Sequence, residues 1–333
     1  MGTNLVESLR HRFEVRSLDQ SAPLNGGHTD LWRQCDLLDS RALKEELKLF
    51  RPDIVLHFGA RTDLHGRDLE DYSANTTGVR NLIDAVAELE SPAHTVYASS
   101  RLVFAIDHDP VHDYDYRPST VYGESKIRGE EIVRAHGGEA GTWTIVRPTS
   151  IWGPWFAAPY RDFFDSVRRG RYVTFPGSNP TKSFGYVGNL VHEVERIFSA
   201  DVRSVDQKVF WLTDYPPIDV NRWAELISAE FGVRAPRRAP LWLVKGAAKA
   251  GDFAQRVGLV RDPAITSFRL ANLLADRVYD TRTLQELVGT LPYSVSDGVK
   301  ATVDWIRQRE TGYGRSTSEN AEPPPSLFPE GRA

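Results

Sequence analysis

The sequence predicts an α/β chain: a doubly wound parallel sheet followed by a smaller α+β portion that faces the substrate. Three observations carry this. Short apolar runs alternate with segments of helical period through the first 150 or so residues, which is the pattern of a parallel sheet covered by helices on both faces. One of those runs, Ile54-Val55-Leu56, is continuously apolar, as a buried strand should be. Beyond Pro154 the alternation loosens and helices dominate.

The elements follow in order. Leu5, Val6 and Leu9 recur at helical spacing, so the chain opens in a helix over 3–10. Residues 13–18 read as a strand ending at Asp19. A helix is expected over 40–50, and a buried strand over 53–58. The helix over 75–89 carries Val79, Leu82, Ile83 and Val86 on one side. Strand 95–98, helix 122–135 and strand 142–146 complete the first portion, the last closed by Arg147-Pro148. Further on, helices are expected at 160–168, 189–198, 221–231, 242–254 and 296–309, with short strands at 172–175 and 209–212. The expected division is 1–154 for the sheet domain and 155–310 mainly for the substrate portion, some of whose segments return to the first. Residues 311–333, with Pro323-Pro324-Pro325 and few apolar side chains, read as a disordered tail.

Composition narrows the function classes. The 333 residues are 41% hydrophobic and 26% charged, enough for a large core in a soluble chain. The net charge of −4, with no basic cluster, gives no electrostatic reason for nucleic acid or a membrane surface. The single cysteine, Cys35, excludes an internal disulfide, and the nine histidines show no ligand spacing, so no metal is expected. No run is long and apolar enough for a bilayer, and the first residues do not read as a signal peptide, so a cytoplasmic protein is expected.

The chemistry lies in Tyr122-Gly123-Glu124-Ser125-Lys126. A tyrosine and a lysine four apart share one helix face, so the ammonium can lie beneath the phenol and stabilise its phenolate. Upstream, Ser99-Ser100 ends the run 95–98, and a serine hydroxyl at a strand end can hold a substrate oxygen. The trio can take a proton from a carbinol or return one to a ketone, provided a hydride carrier sits alongside.

In these residues the chain resembles the extended short-chain dehydrogenases/reductases of the NAD-dependent epimerase/dehydratase family, from Gly2 to about Arg309. The resemblance implies a Rossmann-type sheet and NAD as cofactor, with NADP less favoured. It places Asp19 on the adenosine ribose hydroxyls, Asp36 and Leu37 at the adenine edge, and Phe58, Gly59 and Ala60 at the small-residue strand end beside the cofactor. Asn75 falls on the family's helix-starting asparagine. Ser100, Tyr122 and Lys126 fall on the catalytic positions, the last two also meeting the cofactor. Pro148, within Arg147-Pro148-Thr149-Ser150-Ile151-Trp152-Gly153-Pro154, matches the segment that passes the nicotinamide. Lys182 matches the basic residue that meets sugar-nucleotide phosphates, and Arg101 is left as a further substrate contact. The resemblance also implies a homodimer built on the helices 75–89 and 122–135.

The largest departure from that pattern is at the front. The family opens with a strand and a G-x-x-G-x-x-G turn against the pyrophosphate, of which only the last glycine stands here, as Gly2. Roughly ten residues are missing against that opening. The expectation is that the native protein starts upstream of Met1 and that this chain carries a slot between the strands ending at Asp19 and Phe58.

Family comparison also narrows the reaction. Dehydratases place Asp and Glu after the catalytic hydroxyl, where Arg101 and Leu102 stand, and a decarboxylase needs a glutamate at the second of these positions. The double epimerases use a Cys–His pair, whereas Cys35 lies far from the site. What remains is redox at one carbinol carbon of a nucleotide sugar, as a 4-epimerase or a 4-ketoreductase. Val103-Phe104 is similar to the ketosugar reductases and Tyr186-Val187 to the epimerases. A reductase of a steroid-like or other non-nucleotide ketone, and a non-catalytic dinucleotide sensor, are the alternatives. His57 is read as a buried structural histidine, Asp113-Tyr114-Asp115-Tyr116 as a surface loop, and Trp152, Trp155 and Tyr160 as residues that pack the domain junction.

Overall fold

Several helices begin where the sequence supplies an acceptor for their first amides. In the helix Ser40–Phe50 the Asp39 carboxylate accepts from Ala42 N at 3.0 Å, and in Val121–His136 the Thr120 hydroxyl accepts from Gly123 N at 3.0 Å. Asp219 caps Val220–Phe231 in the same way, and Gly232 in the left-handed region ends it. The protein was analysed as a computed structural model, which describes residues 1–91, 93–105, 108–156, 158–175, 178–260 and 266–313.

In chain order the elements are α1 (Gly2–Leu9), β1 (Ser17–Asp19), β2 (Trp32–Gln34), α2 (Ser40–Phe50), β3 (Ile54–His57), α3 (Ser73–Ala87), β4 (Ala93–Ala98), α4 (Val121–His136) and β5 (Gly141–Pro148). Then come β6 (Ser150–Trp152), α5 (Tyr160–Arg168), β7 (Val173–Thr174), β8 (Thr181–Lys182), β9 (Phe184–Tyr186), α6 (Val187–Phe198), α7 (Val202–Val205) and β10 (Lys208–Leu212). The chain ends through β11 (Ile218–Asp219), α8 (Val220–Phe231), β12 (Arg237–Arg238), α9 (Leu241–Arg256), α10 (Ser267–Leu274), α11 (Arg282–Val288) and α12 (Val295–Tyr313).

The chain divides into two units, the first made of 1–149, 189–213 and 280–290, the second of 150–188, 214–279 and the segment from 291 on. The first unit holds a parallel sheet in the order β10-β5-β4-β3, with Leu56 opposite Val96 and Val96 opposite Thr144. A separate parallel pair, β1-β2, sets Ser17 opposite Trp32. Its core gathers Leu43, Leu47, Val79, Leu82, Ile83 and Val86 with Tyr97, Trp143 and Ile145. The second unit is centred on aromatic rings. Trp152 and Trp223 lie 5.1 Å apart, and Phe163 stacks on Trp223 at 4.7 Å. Trp152 thus packs the second unit's own interior.

Several expectations change. The strand foreseen over 13–18 shrinks to Ser17–Asp19, because the residues before it serve other contacts. Phe13 N closes the end of α1 on Leu9 O, its ring meets Phe198, and Arg16 lies over Phe50. The strand β2 was not foreseen, since Trp32-Arg33-Gln34 carries little apolar signal. The last strand of the first stretch runs on through Arg147 and Pro148. β3, expected to be buried, exposes Ile54, Val55 and Leu56 in part, whereas Val96 beside it is fully buried. The final helix continues to Tyr313, past the expected start of the tail, and residues 314–333 lie outside the described residues.

Helices α3 and α4 approach closely at Gly129, where an added Cβ would lie 2.8 Å from the Asn75 carbonyl oxygen. On helix propensity alone Gly129→Ala would stabilise by about 1 kcal/mol. The backbone clash outweighs that gain, so the substitution is expected to destabilise by about 1–3 kcal/mol in urea unfolding.

Candidate active site

Ser100 caps a short 3₁₀ turn, Arg101–Val103, its Oγ accepting from Leu102 N at 3.1 Å. Tyr122 stands in the first turn of α4. The two elements meet because residue 123 is glycine: a Cβ there would sit 2.2 Å from the Leu102 carbonyl oxygen. That close approach brings the Ser100 hydroxyl into hydrogen-bonding contact with the Tyr122 phenol. Tyr122 is buried and its ring lies 6.0 Å from that of Tyr72, which is itself wholly buried.

Burial sets the electrostatics. It raises the Tyr122 pKa above the ordinary tyrosine value, with the Ser100 hydrogen bond pulling the other way. The depression of the Tyr122 pKa by Lys126 that the sequence led us to expect is therefore not what governs this group. Lys126 is buried too, and desolvation lowers its pKa to about 8, opposed by the charge of Glu130. Its neighbour His57 is pushed down to about 3 by burial and then by Lys126, so it is a neutral core histidine, as expected. These residues, with Tyr97, Ser99 and Glu130, border a void of about 10 Å³.

One turn beyond Lys126, Glu130 is 2% exposed and receives four side chains. Arg147, with no exposure at all, donates from Nε at 2.8 Å and Nη2 at 2.7 Å. Ser99 Oγ donates at 2.5 Å, Tyr116 OH at 2.6 Å and Arg134 Nη2 at 2.9 Å. Burial pushes the Glu130 carboxyl up, but Arg147, Ser99 and Tyr116 together hold it below its ordinary value. Arg147 also donates to Asp113 O at 2.7 Å and lies 5.0 Å from the Phe104 ring centroid. The stretch 113–116, read as a surface loop, is thus partly tied into the interior. Glu130, which sequence reasoning missed, stands at i+4 from Lys126 on the same helix face, and that spacing is its signal.

A cavity of about 570 Å³ opens at the carboxyl ends of β1 and β3 and reaches between the two strands. Its lining brings together five of the residues expected to meet the cofactor, Asp19, Asp36, Leu37, Gly59 and Ala60. A volume of that order suits a small-molecule site, and the carboxyl ends of parallel strands are where such sites lie. Asp19 and Asp36 turn their carboxylates onto Ser21 N and Leu38 N, both at the surface. A Cβ at Gly59 would lie 3.3 Å from the Leu37 side chain, a tight contact that Leu37 would relieve by shifting a few tenths of an ångström. These residues fit the adenosine end of a dinucleotide.

Other expected residues stand elsewhere. Phe58 does not border the cavity. Asn75 is buried, its Oδ1 accepting from Arg61 N and its Nδ2 donating to Arg61 O and Ser125 Oγ, each at 2.9 Å. Its amide therefore joins the loop after β3 to the turn of α4 that carries Lys126. Gly2 opens α1 with no other group within 4 Å of a Cβ, so nothing in the described residues demands glycine there. Pro148 ends β5 opposite Leu212. Arg101 is half-buried in the 3₁₀ turn. Lys182 belongs to the second unit, where it is buried and its ammonium donates to the Ala275 carbonyl. Among the described residues no cluster of His, Cys, Asp and Glu could hold a metal, and no helix is long and apolar enough to cross a membrane.

A serine hydroxyl on a buried phenol, with a buried lysine one helical turn further on, thus stands at the start of a helix that covers a parallel sheet. The family model described as the NAD dependent epimerase/dehydratase family matches residues 1–210, and the chain belongs to that family, as an NAD-dependent epimerase or oxidoreductase of the extended short-chain dehydrogenase/reductase type. It is similar to N-acetyl-alpha-D-glucosaminyl-diphospho-ditrans,octacis-undecaprenol 4-epimerase of Escherichia coli O157:H7, at 23% identity over 92% of this chain and 92% of that one. It is also similar to 4-hydroxy-2-methyl-3-oxo-4-farnesyl-3,4-dihydroquinoline-1-oxide ketoreductase of Stigmatella aurantiaca, at 27% identity over 83% of this chain and 84% of that one. In fold it matches UDP-glucuronic acid 4-epimerase of Bacillus cereus, solved with UDP-glucuronic acid and NAD, with a TM-score of 0.66, 16% identity and coverage of 92% and 96%.

Removing the charge of Glu130 leaves the buried Arg147 with only the half-exposed Asp113 carboxylate, 3.4 Å away, as counter-ion. Glu130→Gln is expected to cost about 3–5 kcal/mol in urea unfolding, well above the ordinary cost of a surface pair.

Proposed function

We propose that this chain uses NAD to oxidise or reduce one carbinol carbon of a nucleotide sugar, as a 4-epimerase or a 4-ketoreductase. The observation that carries the reading is the contact of Ser100 with Tyr122 at the head of α4, with Lys126 buried one turn below. Bound NAD would supply the hydride acceptor or donor, and Asp19, Asp36, Leu37, Gly59 and Ala60 would hold its adenosine end.

Ser100 would hydrogen-bond the carbinol oxygen and fix it against the phenol. In its phenolate form Tyr122 would take the hydroxyl proton as the carbon loses hydride, and in the reverse direction the phenol would give that proton to the ketone oxygen. Its raised pKa keeps the phenol protonated near neutral pH, which suits proton donation to a ketone. Lys126, charged below about pH 8, offsets the phenolate when it forms. Arg101 and Lys182 are proposed as substrate contacts. For Lys182 this requires the ammonium to turn from the Ala275 carbonyl toward a phosphate.

The Stigmatella ketoreductase supports a second reading, a non-nucleotide ketone as substrate. The experiment that separates the two is a turnover screen with UDP-glucose, UDP-glucuronic acid and a bicyclic ketone, monitored by NADH absorbance and by sugar isomer analysis. Turnover of a UDP-sugar supports the first reading, and turnover of the ketone alone overturns it. Tyr122→Phe is expected to lower kcat by at least about 10²-fold while NADH fluorescence titration shows binding unchanged. Unchanged turnover in that variant would remove Tyr122 from the mechanism.

The pH profile carries its own sign. Because the Lys126 pKa is lowered to about 8, its charge is lost as pH rises through that value. The rate of ketone reduction, in which Tyr122 gives up its proton and that charge offsets the forming phenolate, is expected to fall above about pH 8, and Lys126→Met should be slow with that limb absent.

A further inference from the structure

We infer that the outer face of α9 docks on the surface of a bilayer that contains anionic phospholipid, lying in the headgroup plane rather than crossing it. The helix is apolar on two opposite faces, and the described residues cover only one of them. Val244 and Ala248 are buried on the inner side, packed with Phe175 and Leu270. On the other side Trp242 is 73% exposed, Leu243 53% and Phe253 64%, with Gly246 and Ala250 exposed between them. At about 3.6 residues per turn these five fall within roughly 100° of arc. The turn that follows continues the surface, since Leu259 is 76% exposed. A helix with apolar side chains all round is ordinarily buried, so this outward face calls for a partner of its own polarity.

Charge decides what that partner is. Lys245, Lys249 and Arg256 are exposed and line one border of the apolar face, spread over roughly 40° of arc beside Trp242. Among the described residues none of the three meets a carboxylate. The one carboxylate of α9, Asp252, accepts instead from Ser267 N of α10 at 3.0 Å. Arg234, Arg237 and Arg238, just ahead of the helix, are exposed as well. An apolar stripe with a basic border fits an interface that is apolar inside and anionic at its edge, which is the profile of an anionic bilayer. Trp242, next to the border, carries the kind of ring that sits at such a boundary. The chain's net charge of −4 conceals this border, because Lys245, Lys249 and Arg256 come together only at helical spacing.

Shape separates the bilayer from other partners. The outward face of a single helix is a convex ridge and offers no groove for a peptide. A second copy of this chain, related by a two-fold axis, meets the ridge only with the same ridge, whose one carboxylate is engaged by Ser267. A headgroup layer yields to a ridge and covers it along its length. The 16 residues of α9 extend about 24 Å, short of the roughly 30 Å of hydrocarbon, and no described helix is long and apolar enough to cross it. The helix therefore lies on the surface, with its inner face still held by Phe175 and Leu270. None of these residues belongs to the site of Ser100, Tyr122 and Lys126, so the inference is independent of the reaction proposed above.

The test is flotation of the full chain with vesicles of phosphatidylcholine alone and of phosphatidylcholine with one-third phosphatidylglycerol. The border of Lys245, Lys249 and Arg256 is expected to make binding to the anionic vesicles about 10²-fold tighter, a difference that shrinks at about 1 M salt. Trp242→Glu combined with Phe253→Glu is expected to weaken that binding by about 10-fold or more, whereas Trp242→Phe with Phe253→Trp keeps it. Urea unfolding checks that each variant folds as the parent chain does. A second variant, with Lys245, Lys249 and Arg256 all exchanged for Gln, is expected to lose the preference for phosphatidylglycerol. Absence of binding to either vesicle overturns the inference, as does equal binding to both, or binding that survives the glutamate pair. Light scattering without vesicles covers the other occupant: a mass that halves in the glutamate pair assigns the face to a second copy of the chain and overturns the inference.

Discussion

The ion pair of Glu130 with Arg147 is the constraint on which the rest of the first unit's chemistry depends. Both charges are out of water, so the pair is sustained only by geometry: two hydrogen bonds between the partners and further donors from Ser99, Tyr116 and Arg134. Those donors come from different parts of the chain. Ser99 directly follows β4, Arg147 lies near the end of β5, Tyr116 belongs to the connection into α4, and Glu130 and Arg134 are on α4 itself. One carboxylate thus gathers the carboxyl ends of two neighbouring strands against one helix. Ser100 is the residue after Ser99, and Lys126 is one turn before Glu130. The spacing of Ser100 and Lys126 is therefore a consequence of how this carboxylate is satisfied.

A second fixing point works from the other side. Asn75 holds the backbone of Arg61 and the hydroxyl of Ser125, and Ser125 in turn donates to the Tyr122 carbonyl at 2.7 Å. Gly129 lets α3 come close enough for this, and Gly123 does the same for the turn that bears Ser100. The residues that touch no substrate in the proposed mechanism outnumber those that do. Such an arrangement is expected where a phenol and a hydroxyl must be held to a few tenths of an ångström.

Much of this was legible in the sequence, and the legible part has a common physical cause. Helices α2 and α5 begin and end where periodicity and caps place them, and α4 within a residue, because period and capping are local properties. The tyrosine–lysine pair was readable for the same reason, since a four-residue spacing on a helix is a geometric fact. The short strands were not. Trp32-Arg33-Gln34 has no strand signal of its own and takes its form from pairing with β1. The role of Arg147 was hidden because its partner lies on another element, and so was the tie of Tyr116 to the interior. Asn75 was read as a cofactor contact from its position in the chain, whereas its amide is spent on backbone and Ser125. Nonlocal partners are what a linear reading misses.

The electrostatic reading changed most, and it changed in a way that bears on mechanism. Proximity of Lys126 suggested a depressed tyrosine pKa, yet burial acts on both groups and in opposite senses. It raises the neutral-when-protonated phenol and lowers the charged ammonium, so the two values move apart. A site of this kind holds its phenol proton firmly while keeping the balancing charge only up to about pH 8. Glu130 resists the loss of that charge by raising the Lys126 pKa against desolvation, though it can do so only while it remains a carboxylate itself. Arg147 keeps it one. The buried pair therefore sets not only where Lys126 stands but over what range of pH it is a cation, and the reach of the site toward alkaline conditions is fixed two side chains away from the reacting oxygen.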